Sequence, residues 1–326
     1  MEGTSRACVV CGNGRFAHEY KLREMLLGLR EEFWYDECSS CGSLQIRELP
    51  ASMDKYYPPS YGIITVKSDV PGLLSEASRF WGAISHRMGL KGRNPMARLV
   101  ERTYPELAPI VHAKRLEATP GSRILDVGCG SGGYLRALKA LGFQNLTGID
   151  PFIDPSVRVR GIEFQKKEIS ELSGEYDIIL FNQTLEHIPL PSTAMRAANR
   201  LLRIGGRCMV RLPVYPSYCW EKYGTDWAQL DPPRHLFIPS VRGLKMLAED
   251  CGFRKYFMEF DSIDFGFWAS AQYSMDVPLL SEKSYATHPE RGLFSKETIA
   301  SFREMAKKAN QEGKGDQAAL YLEKTE

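Results

Sequence analysis

The feature that most restricts the fold is a short apolar strand running straight into a glycine-rich turn, Ile124-Leu125-Asp126-Val127-Gly128-Cys129-Gly130-Ser131-Gly132-Gly133. A helical pattern follows, with Tyr134, Leu135, Leu138 and Leu141 spaced along one face, and Gly142 stops it. The unit reads strand, glycine loop, helix. Glycines are needed there because a Cβ would keep a ligand off the backbone and off the helix N-terminus. A second strand, residues 146–149, ends in Asp150, where a ribose diol would find a paired hydrogen-bond acceptor.

The loop contains GxGxxG, the dinucleotide fingerprint, which is weak evidence by itself. Asp126 separates the two cofactors that compete for such a loop. A carboxylate two residues before the first glycine suits a ligand with a cationic amino-acid end and no pyrophosphate; a dinucleotide would meet that charge with its own. The expected cofactor is therefore S-adenosylmethionine rather than NAD. The run Leu125-Asp126-Val127-Gly128-Cys129-Gly130-Ser131-Gly132, with Gly148-Ile149-Asp150, resembles the first two motifs of the class I S-adenosylmethionine-dependent methyltransferases. That resemblance implies an α/β, Rossmann-like, seven-stranded core over about residues 119–262. Its cofactor contacts would be Asp126, Gly128, Gly130, Gly132, Asp150, Glu168 near the adenine amine, and Asn182 after the fourth strand.

The remaining elements follow in order. Residues 162–164 read as the third strand and residues 176–181 as the fourth. A helix through Met195, Ala198, Leu201 and Leu202 should stop at Gly205-Gly206, followed by a strand at 207–212. An aromatic insertion at about 213–239 precedes a helix at 240–251 and a sixth strand at 253–261. Carboxyl ends of the strands form the ligand crevice in such sheets, which places Glu186-His187 beside the cofactor. Methyl transfer to a hydroxyl needs alignment and removal of a proton, a task suited to a histidine. His187, His235 in the insertion, and Glu186 are the catalytic candidates; the bland alternative is that Glu186 caps a helix and His187 packs near the cofactor. Some members of this superfamily hold a divalent metal through Glu-x-x-Glu-His and a later histidine. Here Gln183 stands at the first carboxylate, leaving fewer charges for a catalytic divalent cation.

Near the N-terminus, Cys8-Val9-Val10-Cys11-Gly12 and Cys38-Ser39-Ser40-Cys41-Gly42 are two identically built knuckles. Two intervening residues let each turn aim both thiolates at one ion, and the glycine permits the backbone twist. Cys8, Cys11, Cys38 and Cys41 thus compose one structural zinc site, with four free thiols as the alternative reading. Residues 12–37 should form a small hairpin whose aromatic side chains cover the metal. Zinc can supply about 10–16 kcal/mol to a segment too short to bury its own core. The expected organisation is a zinc module at 1–50, a turn-rich linker and helical lid at 51–118, the core at 119–262, and an extension at 263–326. Within the second unit, Leu73, Leu74, Ala77, Phe80, Trp81 and Ile84 recur at helical spacing.

Charge narrows the partners. Lys+Arg 42 against Asp+Glu 40 gives a net +2, which argues against nucleic acid, since no clustered basic stripe is present. No basic segment followed by a signal-length apolar run opens the chain, and no run of about 18 apolar residues occurs, so a cytoplasmic location without a membrane span is expected. The extension carries Ser295 as a helix N-cap, with Ile299, Phe302, Ala306 and Ala309 on one face, and residues 318–322 could complete the sheet.

The cysteine knuckles, the Tyr56-Tyr57-Pro58-Pro59-Ser60-Tyr61-Gly62 turn and the core together resemble the zinc-containing sugar methyltransferases. They also resemble methyltransferases of bacterial polysaccharide biosynthesis, which share the Leu230-Asp231-Pro232-Pro233-Arg234-His235-Leu236 stretch. The resemblance implies a small-molecule or glycan acceptor, with oxygen preferred over carbon. A sugar C-methyltransferase, a zinc-module RNA methyltransferase, and a noncatalytic or NAD-binding protein remain as alternatives.

Overall fold

The computed structural model describes residues 6–58, 108–153, 157–159 and 161–326. The expected lid helix carrying Leu73 to Ile84 falls outside the described residues, as does the linker turn beyond Pro58. The N-terminal strands are β1 (Phe16–Arg23), β2 (Glu32–Cys38) and β3 (Leu44–Ile46). Helix α1 (Ala108–Arg115) then leads into β4 (Arg123–Val127), α2 (Gly133–Ala140), β5 (Asn145–Ile149), the short β6 (Val157–Val159), β7 (Ile162–Gln165) and β8 (Tyr176–Asn182). The chain continues through α3 (Pro191–Leu201), β9 (Leu202–Pro213), α4 (Tyr218–Tyr223), β10 (Phe237–Ile238), α5 (Val241–Asp250) and β11 (Lys255–Phe260). It ends with α6 (Phe265–Ser274), α7 (Lys296–Gln311) and β12 (Gln317–Glu323).

The large sheet runs β11-β12-β9-β8-β4-β5-β7-β6. Strands β9, β8, β4, β5 and β7 are mutually parallel, so their carboxyl ends share one edge. Seven strands are those of the expected core; β6 adds a short antiparallel edge to β7. The last strand, β12, lies antiparallel between β9 and β11. Strand β4 is buried after its first residue, as a strand covered on both faces must be.

Two differences from the sequence expectation have local causes. Gly205-Gly206 does not stop a helix. Helix α3 ends at Leu201, and buried Leu202 already pairs with Tyr176; the register then jumps to Ile178 opposite Arg207, with Gly205 at φ 72° inside the resulting bulge. Helix α6, unforeseen, buries Phe267, Ala269, Ser270, Gln272 and Tyr273 around its circumference, so it carries no apolar stripe to read. As expected, Ser295 caps α7 by accepting from Thr298 N, and residues 318–322 lie in β12.

A second sheet, β1-β2-β3-β10, joins the cysteine-bearing segment to the insertion, with Phe237 opposite Gln45 and Ile238 opposite Leu44. One hydrophobic core runs from Cys8, Val10 and Tyr35 through Phe237 to Leu212 and Phe181. No helix among the described residues is long and apolar enough to cross a membrane.

Candidate active site

The glycine loop is fastened from beneath, since Gly128 N and Cys129 N both donate to Ile149 O, at 2.8 and 3.0 Å. Its glycines have different reasons. A Cβ on Gly128 would lie 2.2 Å from Thr184 Cγ2, and one on Gly132 2.4 Å from the Phe164 ring, so both serve close packing. A Cβ on Gly130, at φ 49°, would meet nothing within 4 Å among the described residues, which leaves its face open to a ligand. Gly130 N donates to Asp150 Oδ2 at 3.1 Å, and Phe152 N donates to the other Asp150 oxygen at 2.8 Å. The Asp150 carboxylate is thereby fixed beside the loop.

Asp126 is 3% exposed at the end of β4. Burial, and then the charge of Asp150, push its carboxyl up to about 7; a cationic ligand group against it would hold it ionised. The donor chemistry and the open glycine face fit S-adenosylmethionine. Two other expected contacts also serve the fold. Exposed Glu168 is the N-cap of the 3-10 turn Ile169–Glu171 and shares a capping box with Glu171, while Asn182 Oδ1 accepts from Arg211 at 3.2 Å.

The close approach of Thr184 to Gly128 brings the next turn, Leu185–His187, against the loop. Glu186 is fully buried, and among the described residues neither carboxylate oxygen has a side-chain or well-formed hydrogen-bond partner. Burial pushes it up to about 8. His187 and His235 meet edge to face, ring centroids 4.8 Å apart. Each Nδ1 faces a carbonyl, Arg234 O at 2.8 Å for His187 and Gln229 O at 2.7 Å for His235. A carbonyl only accepts, which assigns the proton of each ring to Nδ1 and leaves Nε2 with its lone pair. Burial, then the neighbouring His235, lower His187 to about 3; burial also lowers His235. Both rings are neutral at pH 7. One nitrogen of each ring and one Glu186 oxygen lie within 4.8 Å of one another, a set able to take a proton or to hold a divalent cation.

Sequence reasoning missed several residues at this edge. Tyr57 Oη lies 3.3 Å from His187 Nδ1, and its ring stacks over Phe152 with centroids 6.5 Å apart. A polar network crosses the strand ends. His112 Nδ1 is 2.9 Å from Tyr134 Oη, its Nε2 is 3.8 Å from Asp261, and Asp261 is ion-paired to Arg211. Burial alone would raise Asp261, but the Arg211 charge, helped by nearby His112 and by hydrogen bonds from Arg211 and Gln317, brings it to about 2. These residues carry no local motif. Their only signal is position, at strand termini or on the preceding helix.

At the other end of the small sheet, the sulfurs of Cys8, Cys11, Cys38 and Cys41 all lie within 4.8 Å of one another. Cys8 to Cys41 is 3.7 Å and Cys11 to Cys38 is 3.6 Å, near the edge of about 3.8 Å of a tetrahedron built on zinc–sulfur bonds of about 2.3 Å. The knuckles are built alike, with Gly12 N to Cys8 O and Gly42 N to Cys38 O both 2.8 Å, and both glycines at φ 74°. The residues fit a four-thiolate ion.

A family model described as "Methyltransferase domain" matches residues 76–256. The chain belongs to this family, and its fold and loop are those of a class I S-adenosylmethionine-dependent methyltransferase. The dinucleotide alternative is thereby set aside. Among curated relatives, the ubiquinone biosynthesis O-methyltransferase of Xanthomonas oryzae pv. oryzae (strain PXO99A) is 30% identical over 153 residues, covering 43% of this chain and 59% of that protein. The protein of the same name from Nitrosococcus oceani is 32% identical over 168 residues, covering 47% and 65%. The chain thus spans about three fifths of the relatives it matches. A S-adenosylmethionine-dependent methyltransferase from Thermotoga maritima superposes with TM-score 0.42 at 17% identity, covering 69% of this chain and 91% of that one. Another from Archaeoglobus fulgidus gives TM-score 0.39 at 17% identity, covering 67% and 100%.

Proposed function

We propose that this chain methylates a hydroxyl of a small acceptor, a sugar, nucleotide sugar or glycan, with His187 or His235 as the base. The observation that carries this reading is the pair of neutral imidazoles whose Nδ1 protons are held by carbonyls, leaving an unprotonated Nε2 on each to accept a proton. S-adenosylmethionine, when bound, supplies a methyl carbon whose bond to a positively charged sulfur breaks as the acceptor oxygen attaches. The chain's own residues have two tasks. Asp126 would meet the cationic amino-acid end, Asp150 the ribose diol, Gly130 the close approach of the cofactor to a loop that Gly128 and Gly132 let pack, and Glu168 and Asn182 the adenine side and crevice wall. The histidine Nε2 takes the hydroxyl proton and later returns it to water, while protonated Glu186 keeps the pocket free of a competing charge. The names of the curated relatives support oxygen as acceptor atom. The cysteine knuckles and the 230–236 stretch support a sugar or glycan, and we infer a structural zinc at Cys8, Cys11, Cys38 and Cys41.

The clustering of buried Glu186 with two imidazoles, one ligand atom of each within 4.8 Å of the others, favours a second reading of the same site, in which the three hold a divalent cation that would bind the acceptor hydroxyl. One experiment separates these. Transfer from methyl-13C-labelled S-adenosylmethionine is followed over a panel of nucleotide sugars, glycans and catechols, with and without added Mg2+ after chelation that spares the cysteine site. An O-methyl 13C resonance independent of Mg2+ supports the base reading, and strict Mg2+ dependence supports the cation. A C-methyl resonance, or no transfer to any acceptor class, refutes O-methylation of these acceptors.

A further inference from the structure

The loop that carries His235 is wound around one buried guanidinium. Arg234 and Glu24 are both 0% exposed. Arg234 Nε donates to both Asp231 oxygens at 3.1 and 2.9 Å, Nη2 donates to Asp231 Oδ1 at 2.6 Å and to Glu24 Oε1 at 2.8 Å, and Nη1 reaches Tyr56 O at 3.3 Å. Glu24 lies between β1 and β2, fixed by Leu27 N at 2.8 Å and Leu29 N at 2.9 Å. The backbone closes on the same ion pair, since Arg234 N and His235 N both donate to Asp231 O. Two carbonyls of this loop, Gln229 O and Arg234 O, are the ones that receive the histidine Nδ1 protons. Tyr35 Oη from β2 donates to His235 O at 2.6 Å.

We propose that Arg234 is a positioning residue for the histidine pair: clamped between Glu24 of the small sheet and Asp231 of its own loop, it sets the carbonyls that keep both rings in the Nδ1–H form with Nε2 free. The physical ground is that a buried ion network tolerates little displacement, because any donor or charge left unmatched is costly at full burial. The small sheet and the turn after β1 therefore contribute to the transfer site through Tyr35 and Glu24, by way of the His235 carbonyl and Arg234. This inference rests on the histidines being the transfer site, but ring tautomers can be measured without any acceptor.

The test is long-range 1H–15N spectroscopy at pH 7 on the full chain labelled with 15N-histidine, with His187→Gln and His235→Gln assigning the two rings. In the parent both should show a protonated Nδ1 and an unprotonated Nε2. In Glu24→Gln and Arg234→Lys the preference of His187 for Nδ1–H should fall about tenfold, the share of one hydrogen bond, while S-adenosylhomocysteine affinity stays within about twofold. A parent ring protonated at Nε2, or unchanged tautomers in the folded variants, overturns the proposal. A variant that fails to fold is replaced by Asp231→Asn and read the same way. Shifted tautomers in a chain that methylates no acceptor would sink the functional reading and leave the positioning role standing.

Discussion

Glu186 is a carboxyl enclosed without a hydrogen-bond partner among the described residues, and its energetics can be read from titration. Its folded value, near 8, lies above the unfolded value of about 4.3, so between these the native state holds a proton that the unfolded chain has released. Stability from this group is complete below about pH 4.3 and is lost as pH rises through 8. His187, depressed to about 3, acts oppositely below about pH 6.5, where unfolding takes up a proton. Of these two groups, only Glu186 still contributes above pH 6.5, and the comparison with its own variant cancels the buried Asp126, pushed up to about 7. In chelated protein, Glu186→Gln should gain about 1–2 kcal/mol on the parent between pH 6.5 and 8, measured by urea unfolding at each pH; a constant difference would show that Glu186 is not buried as a neutral acid. The histidines are tested by rate. His187→Gln or His235→Gln should lower kcat about 100-fold or more and spare S-adenosylhomocysteine affinity, whereas rates unchanged from the parent in both variants would remove them as bases. Asp126→Ala, which takes away the buried carboxylate, should abolish that affinity in a calorimetric titration.

The glycine loop allows packing and ligand roles to be separated within one element. Gly132→Ala would drive a Cβ to 2.4 Å from the Phe164 ring, at φ 76°, so it should lower Tm strongly. Gly130→Ala meets no atom of the described residues and carries only the left-handed cost of about 1–2 kcal/mol, yet its Cβ would stand where a ligand must approach. S-adenosylhomocysteine affinity should fall at least tenfold in Gly130→Ala with a small change in Tm. Equal losses of Tm in the two variants would erase the distinction. The loop was legible in the sequence because strand, turn and helix are local signals that adjoin one another, and the same holds for the Ser295 cap and for β12. Helix α6 was illegible because polar Ser270 and Gln272 are buried on it beside Phe267. The candidate site divides along the same line. Glu186-His187 follow a recognisable strand end, whereas Asp261 with His112, and Glu24 with Arg234, meet only through the fold.

At the scale of the molecule, the two sheets are not independent bodies. Strand β3 of the cysteine-bearing segment pairs with β10 of the insertion, Ser240 at the head of α5 donates its hydroxyl to Cys41 O, and Gly243 on α5 packs against Ser43 and Val10. The cysteines Cys8, Cys38 and Cys41 belong to the same apolar core as Phe181 of β8 and Leu212 of β9. A segment that shares its core in this way should melt with its neighbour. A structural zinc that ties residues 8–11 to residues 38–41 would therefore stabilise the whole chain, and its removal should not simply unfold an appendage. Metal analysis should find one zinc per chain. Cys41→Ser, or prolonged chelation, should lower the Tm of one cooperative calorimetric transition by roughly 10 °C or more, given what a four-thiolate zinc contributes to folding. The same treatment should weaken the ring tautomer preference of His187, because Glu24, Tyr35 and β3 are carried by the sheet the metal holds. Two separated transitions, with the one that retains S-adenosylhomocysteine binding unmoved by zinc removal, would show that the small sheet is energetically detached from the transfer site.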